Sequence, residues 1–170
     1  MESPQIQKTI VYLDNLSDWT GRTVAWLTLL MMLVTCTIVV ARYGFNIGSI
    51  ALQESVIYLH GLVLMTSIAY TLRHQGHVRV DIFYARLAPG TQALIDLLGT
   101  LIFLFPFSIF LFYCSLDYVS LSWSLGESSG QPGGLPGVYL LKALIPLFSI
   151  LLFLQGIAEL LRNLTILTRH

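Results

Sequence analysis

Apolar residues fill four long stretches of the chain, and the polar residues gather between them. A helix rises about 1.5 Å per residue and the hydrocarbon layer of a bilayer is about 30 Å thick, so a run of roughly twenty apolar residues is long enough to cross. The first run covers about 23–42, TVAWLTLLMMLVTCTIVVA closed by Arg42. The second, about 50–72, carries Glu54 near its start and His60 further in. Asp96 stands at the entrance of the third, about 93–116, and the fourth, about 139–161, is bounded by Lys142 and Glu159. The pattern predicts an all-α integral membrane fold with four transmembrane helices and a membrane domain over 23–162. Ahead of it, Ile6, Ile10, Leu13 and Leu16 recur at helical spacing with Trp19 after them, which suits a short interfacial helix within residues 1–22, with an ordinary flexible tail as the alternative. Residues 163–170 read as a tail.

Basic residues give the expected orientation, because loops rich in Lys and Arg stay on the cytoplasmic side. With both ends inside, seven basic residues (Lys8, Arg22, Arg73, Arg79, Arg86, Arg162, Arg169) lie on the cytoplasmic side and only Arg42 and Lys142 at the outer ends. N-in/C-in is therefore the expected topology. The connection between the third and fourth spans, about 117–138, has no Lys or Arg and is rich in turn formers, as GESSGQPGGLPG shows.

Composition sharpens this picture in two ways. With 55% hydrophobic and 11% charged residues in a chain of 170, a water-soluble core cannot hide the apolar surface, so the bilayer is the expected solvent. Nine basic residues balance nine acidic ones and no basic run occurs, which excludes nucleic acid as a partner. The N-terminal segment holds Glu2, Asp14 and Asp18 and is not expected to be a cleaved signal. Cys36 and Cys114 lie inside apolar runs without metal-ligand spacing and read as small packing residues.

The chemistry-bearing residues have structural explanations. Glu54, Asp96, Lys142 and Glu159 sit near helix ends, where they reach headgroups or pair with a neighbour, and Glu54 and Arg42 are close enough in predicted depth for an ion pair. His60 lies inside the membrane, but a bis-histidine haem site needs a second imidazole at matching depth, and His74, His77 and His170 all fall at or beyond the edge. No SxxK, HExxH, GxSxG or phosphate loop is present, so no catalytic, cofactor-binding or metal-ligating set is assigned and the chain is not read as an enzyme. Small and polar residues repeat every seven positions on several helices: Thr28, Thr35 and Arg42; Gly99, Pro106 and Tyr113; Lys142, Ser149 and Gly156. Such faces let helices approach closely in lipid, and those of the first and fourth helices are the candidate partner interface. Pro106 and Pro146 are expected to bend their helices.

Two stretches point further. GHVRVDIFYARL after the second run, with Glu54 near that run's start, and GESSGQPGGLPGVYLLKALIPLFSILLFLQGIAEL together resemble the small subunit of tripartite ATP-independent periplasmic (TRAP) transporters, the DctQ-type family. The resemblance implies an inner-membrane complex with a larger permease subunit, served by a periplasmic substrate-binding protein that delivers an organic acid anion. It also implies an ion gradient, commonly of sodium, as driving force, with the coupling ion held by the large subunit and no cofactor in this chain. Carried over, it marks Glu54, His77, Arg79 and Asp81 as a structural and orientation set, and Glu127, Gly134, Pro136, Lys142, Pro146 and Gln155 as positions for assembly, with Glu127, Gly134 and Pro136 as candidate docking points for the binding protein. Two other classes compete. One is a four-helix anchor of a redox complex holding haem or quinone. The other is a self-contained exporter, which would want a carboxylate in the middle of its first helix, where this chain has none.

Overall fold

The computed structural model describes residues 4–77 and 84–168. Its helices are α1 (Pro4–Gly44), α2 (Ile50–Thr66), α3 (Ile68–Arg73), α4 (Pro89–Gly99), a π-helical turn (Thr100–Leu104), α5 (Phe105–Ser124) and α6 (Val138–Leu167). In space these make the four expected spans, Pro4–Gly44, Ile50–Arg73, Pro89–Ser124 and Val138–Leu167. The break between α2 and α3 is local: Ser67 caps α2, its N–H bonding Val63 O, and it also opens α3.

The separate interfacial helix expected before the first span does not exist. Pro4 stands at the start of one continuous helix of 41 residues, about 62 Å long at the standard rise. Gly21, the residue most able to interrupt it, is held by packing: a Cβ there would fall 2.5 Å from Tyr70 Cδ2, so only glycine lets α1 lie this close to α3.

Burial is reversed relative to a water-soluble bundle. The fully buried side chains of greatest volume are Gln155, Ser108, Ser122 and Ser149, whereas Trp26 is 74% exposed and Phe103 72%. Small polar residues turned inward and large apolar ones turned outward are what a hydrocarbon solvent selects, because lipid solvates Leu and Phe while close helix contact needs small side chains. The inward hydroxyls are satisfied by their own helices: Ser108 donates to Leu104 O (2.8 Å), Ser149 to Ile145 O (3.0 Å) and Thr66 to Leu62 O (2.6 Å). Cys36 and Cys114 are exposed rather than packed inside, a correction of the expectation above. A thiol is weakly polar, so facing lipid costs it little.

Helix α6 is the hub. It touches α1, α2, α3, α4, the π turn and α5, whereas α4 and α5 reach the rest of the bundle mainly through it. Its close fit to the third span depends on Gly156, where a Cβ would meet Leu104 Cδ2 at 2.5 Å and Phe105 Cε1 at 2.9 Å. The third span turns a different face inward from the one expected. Pro106 and Tyr113 are exposed, and the buried positions are Ala93, Thr100, Ser108, Ser115 and Ser122, at intervals of seven, eight, seven and seven. The π turn absorbs the extra residue: Phe105 N–H bonds Thr100 O, five positions back, and the face stays aligned through the whole span. Pro106 follows directly. It has no N–H to give, and the wider turn relieves the crowding its ring would cause in a regular helix.

Candidate functional site

Polar side chains meet in two layers at the ends of the bundle. Along α6, Lys142 and Glu159 are 17 residues apart, about 26 Å; along α2 and α3, Glu54 and Arg73 are 19 apart, about 28 Å. Both separations are close to the hydrocarbon thickness of about 30 Å, so the layers mark the edges of the apolar slab.

The first layer clasps the connection between α5 and α6. Glu54 of α2 accepts a hydrogen bond from Ser129 Oγ and another from the Leu135 backbone N–H at 2.7 Å. Ser129 N–H bonds Leu135 O (3.1 Å) and Val138 N–H bonds Glu127 O (3.1 Å), closing the loop on itself. Gly126 and Gly133 take left-handed backbone angles (φ 56° and 78°) at its turns. Gly134 leaves the space through which Glu54 reaches the loop, since a Cβ there would lie 2.8 Å from Glu54 Oε1. Glu127 accepts from Lys142 Nζ (2.5 Å) and Ser122 Oγ (2.6 Å), and Lys142 also sits 4.0 Å over the Tyr118 ring. The hydrogen bond from Lys142, then that from Ser122, hold the Glu127 carboxyl below its ordinary value of 4.5.

The second layer ties α1, α3 and α6. Arg162 donates to both Asp14 oxygens (3.0 and 2.8 Å) and to Glu159 Oε1 (2.5 Å). Gln155, only 1% exposed, accepts from Ser17 Oγ (2.6 Å) and donates to Asp14 Oδ1 (3.2 Å) and Glu159 Oε1 (3.4 Å). Arg73 of α3 bonds the Asp14 backbone carbonyl and Asp18 Oδ2 (2.6 Å), and His74 Nε2 lies 3.0 Å from Asp18 Oδ1. A carboxamide between acidic and hydroxyl partners can give and accept at once, which is why a glutamine joins these helices where a leucine cannot.

The residues singled out from sequence are placed as follows. Glu54 engages the loop instead of Arg42, which is exposed and forms no ion pair among the described residues. Lys142, Ser149 and Gly156 do share a face, and on it Lys142 packs against Glu127 and Tyr118 while Gly156 packs against Leu104 and Phe105. Glu127 is likewise spent on an internal clasp, and Pro136 is exposed beside it. Pro146 lies inside α6. Thr28 and Thr35 are exposed on the C-terminal half of α1, where Leu27, Met31, Val34, Ile38 and Ala41 form the half-buried seam and the other faces are open. His60 is exposed on α2 and His77 beyond α3, while Arg79 and Asp81 lie outside the described residues. Sequence reading missed Asp14, Ser17 and Asp18. Their signal was the four-residue repeat Leu13, Ser17, Gly21 of small inward positions beside two carboxylates one turn apart.

Comparison with known families supplies the decisive observation: the model described as tripartite ATP-independent periplasmic transporters, DctQ component, matches residues 31–166. The chain belongs to the DctQ family. This DctQ component is thus the small permease subunit of a TRAP transporter, a multi-pass inner-membrane protein that works with other TRAP components. The match begins about two-thirds of the way along α1 and runs to the last turn of α6, so it takes in the whole loop clasp. No curated protein and no solved structure matches the chain.

Proposed function

We propose that this DctQ component is a fixed scaffold that braces a larger permease subunit for ion-gradient-driven uptake of an organic acid anion delivered by a periplasmic binding protein. The observation that carries the reading is the contrast between its faces. The C-terminal half of α1 is open on every side but its seam, and Trp26, Leu29, Met32, Leu33, Val40 and Tyr43 are all at least 46% exposed. The polar residues of the chain, by contrast, are mostly closed on one another in two layers. A chain whose charges fasten its own helices is suited to hold a partner rather than to move a solute. In this reading α1, with Thr28 and Thr35, supplies the contact with the large subunit, and the coupling ion, sodium by family resemblance, is bound there. The topology is N-in/C-in, which puts the Glu54 clasp on the periplasmic side, where the exposed Pro136 is available to the binding protein. Family membership lends no support to a haem or quinone anchor.

The test is purification of the chain, tagged at its C-terminus, from its native membranes in mild detergent, followed by mass spectrometry. A stoichiometric large permease is expected, and replacing Thr28 and Thr35 together by tryptophan should release it. A chain that arrives alone, or with a redox subunit, would overturn the proposal.

A further inference from the structure

A cavity of about 260 Å³ opens between α3, α4 and α6 at the level of the Asp14 layer. Its apolar wall includes Leu72 and Ile95, and its polar wall Asp96, Thr100, Glu159 and Asn163. The π turn forms one side, so the widened backbone stands at the cavity itself.

Two polar groups in this wall have no hydrogen-bond partner among the described residues. Asn163 is 6% exposed, yet its carboxamide makes no hydrogen bond among the described residues. Glu159 uses Oε1 for both Arg162 and Gln155, and nothing donates to its Oε2. An amide in a cavity wall gains a hydrogen bond from a ligand that brings a matching group. Asp96 completes the wall; its Oδ2 accepts from Tyr84 OH at 2.6 Å. The charge of the layer selects the ligand's sign. The lining itself carries two carboxylates, Asp96 and Glu159, and no basic side chain among the described residues.

We propose that this cavity binds a primary ammonium group. N–H donors on one small cation match Glu159 Oε2 and the Asn163 carbonyl oxygen, with the Asp96 carboxylate in the same wall. The cavity lies at the edge of the apolar slab with Ile95 45% exposed beside it, which fits the headgroup of an aminophospholipid whose chains run along α4 and α5. A water-soluble amine carries the same group and is the other source. The site depends on residues within this chain and is independent of which subunit the chain assembles with.

Native mass spectrometry of the delipidated full chain tests this, with phosphatidylethanolamine, phosphatidylcholine and phosphatidylglycerol of identical acyl chains as probes. Phosphatidylethanolamine should bind at least tenfold more tightly than the other two, because methylation or loss of the amine removes the donors. Asn163→Leu should abolish that preference while leaving the melting temperature unchanged, since the carboxamide makes no bond in the chain. Asp96→Asn, which still accepts from Tyr84, should reduce the preference as well and serves if the leucine variant folds poorly. Competition by free ethanolamine at millimolar concentration, without preference among the lipids, would keep the ammonium site and assign it to a soluble amine. Equal binding of all three lipids with no effect of ethanolamine, or an unchanged preference in both variants, would refute it.

Discussion

Replacing Gln155 by leucine isolates the joint between the first and last helices. The two side chains are similar in volume, so the change removes polarity without opening a cavity. Three interhelical or intrahelical bonds disappear, those with Ser17, Asp14 and Glu159. Side-chain hydrogen bonds between helices in membranes average about 0.6 kcal/mol and reach about 1.7. Ser17 is not orphaned by the change, because its hydroxyl can turn to a carbonyl one turn back, as Ser108 and Ser149 do. Asp14 and Glu159 keep Arg162. The expected loss is therefore about 2 kcal/mol, well short of the cost of exposing an unpaired charge. It is measured by equilibrium unfolding in mixed detergent and SDS micelles, followed by tryptophan fluorescence, with Ser17→Ala and the double variant completing a cycle. The cycle should give a coupling of about 1 kcal/mol between the two positions. A loss below about 0.5 kcal/mol together with additive single effects would show that the buried amide does not join the helices.

Other expectations follow from the remaining geometry. Gly134→Ala should push Ser129 away from Glu54 and raise the rate of proteolysis in the loop after α5 by about tenfold, the equivalent of roughly 1.4 kcal/mol of local opening; an unchanged rate would mean the loop yields without loss. Because the folded Glu127 carboxyl titrates below its ordinary value of 4.5, its contribution to the clasp is complete above that pH and is lost as pH falls through the lowered value. Loop proteolysis by an acid-active protease should accelerate in that acid range, and Glu127→Gln should flatten the profile. Gly156→Val should separate α6 from the π turn and cost about 2 kcal/mol or more in the same micelle titration, whereas Gly99→Ala, which meets nothing within 4 Å, should be neutral or stabilising.

The four spans were legible from apolar length alone, since length against bilayer thickness is a one-dimensional property of the chain. What joins them was not. The continuity of α1 escaped because residues 5–20 are polar enough to look interfacial, yet their inward face, Leu13 and Ser17, is matched to α6 far away in sequence. Glu54 illustrates the same limit: its depth suggested Arg42, but its partners come from a loop more than seventy residues later. The heptad of Lys142, Ser149 and Gly156 carried the signal of a close-contact face but not its neighbours within the chain, because periodicity reports that a face is packed and not against what. In the third span a strict seven-residue count selected Pro106 and Tyr113. The serines at 108, 115 and 122 with Thr100 eight before them carried the true face, and the one-residue offset was the trace of the π turn.

The hub position of α6 has a consequence for how the protein is made. Translation delivers α6 after the other described helices, and until it enters the bilayer the third span has almost no partner among the described residues. The first two spans can already pack on one another, because α1 meets α2 and α3, but the third must wait for α6. A ribosome that stops before residue 138 leaves Asp14 without Arg162 and Glu127 without Lys142. The bundle therefore closes in one late step, in which a single helix brings both charge partners and the packing surface that the third span needs.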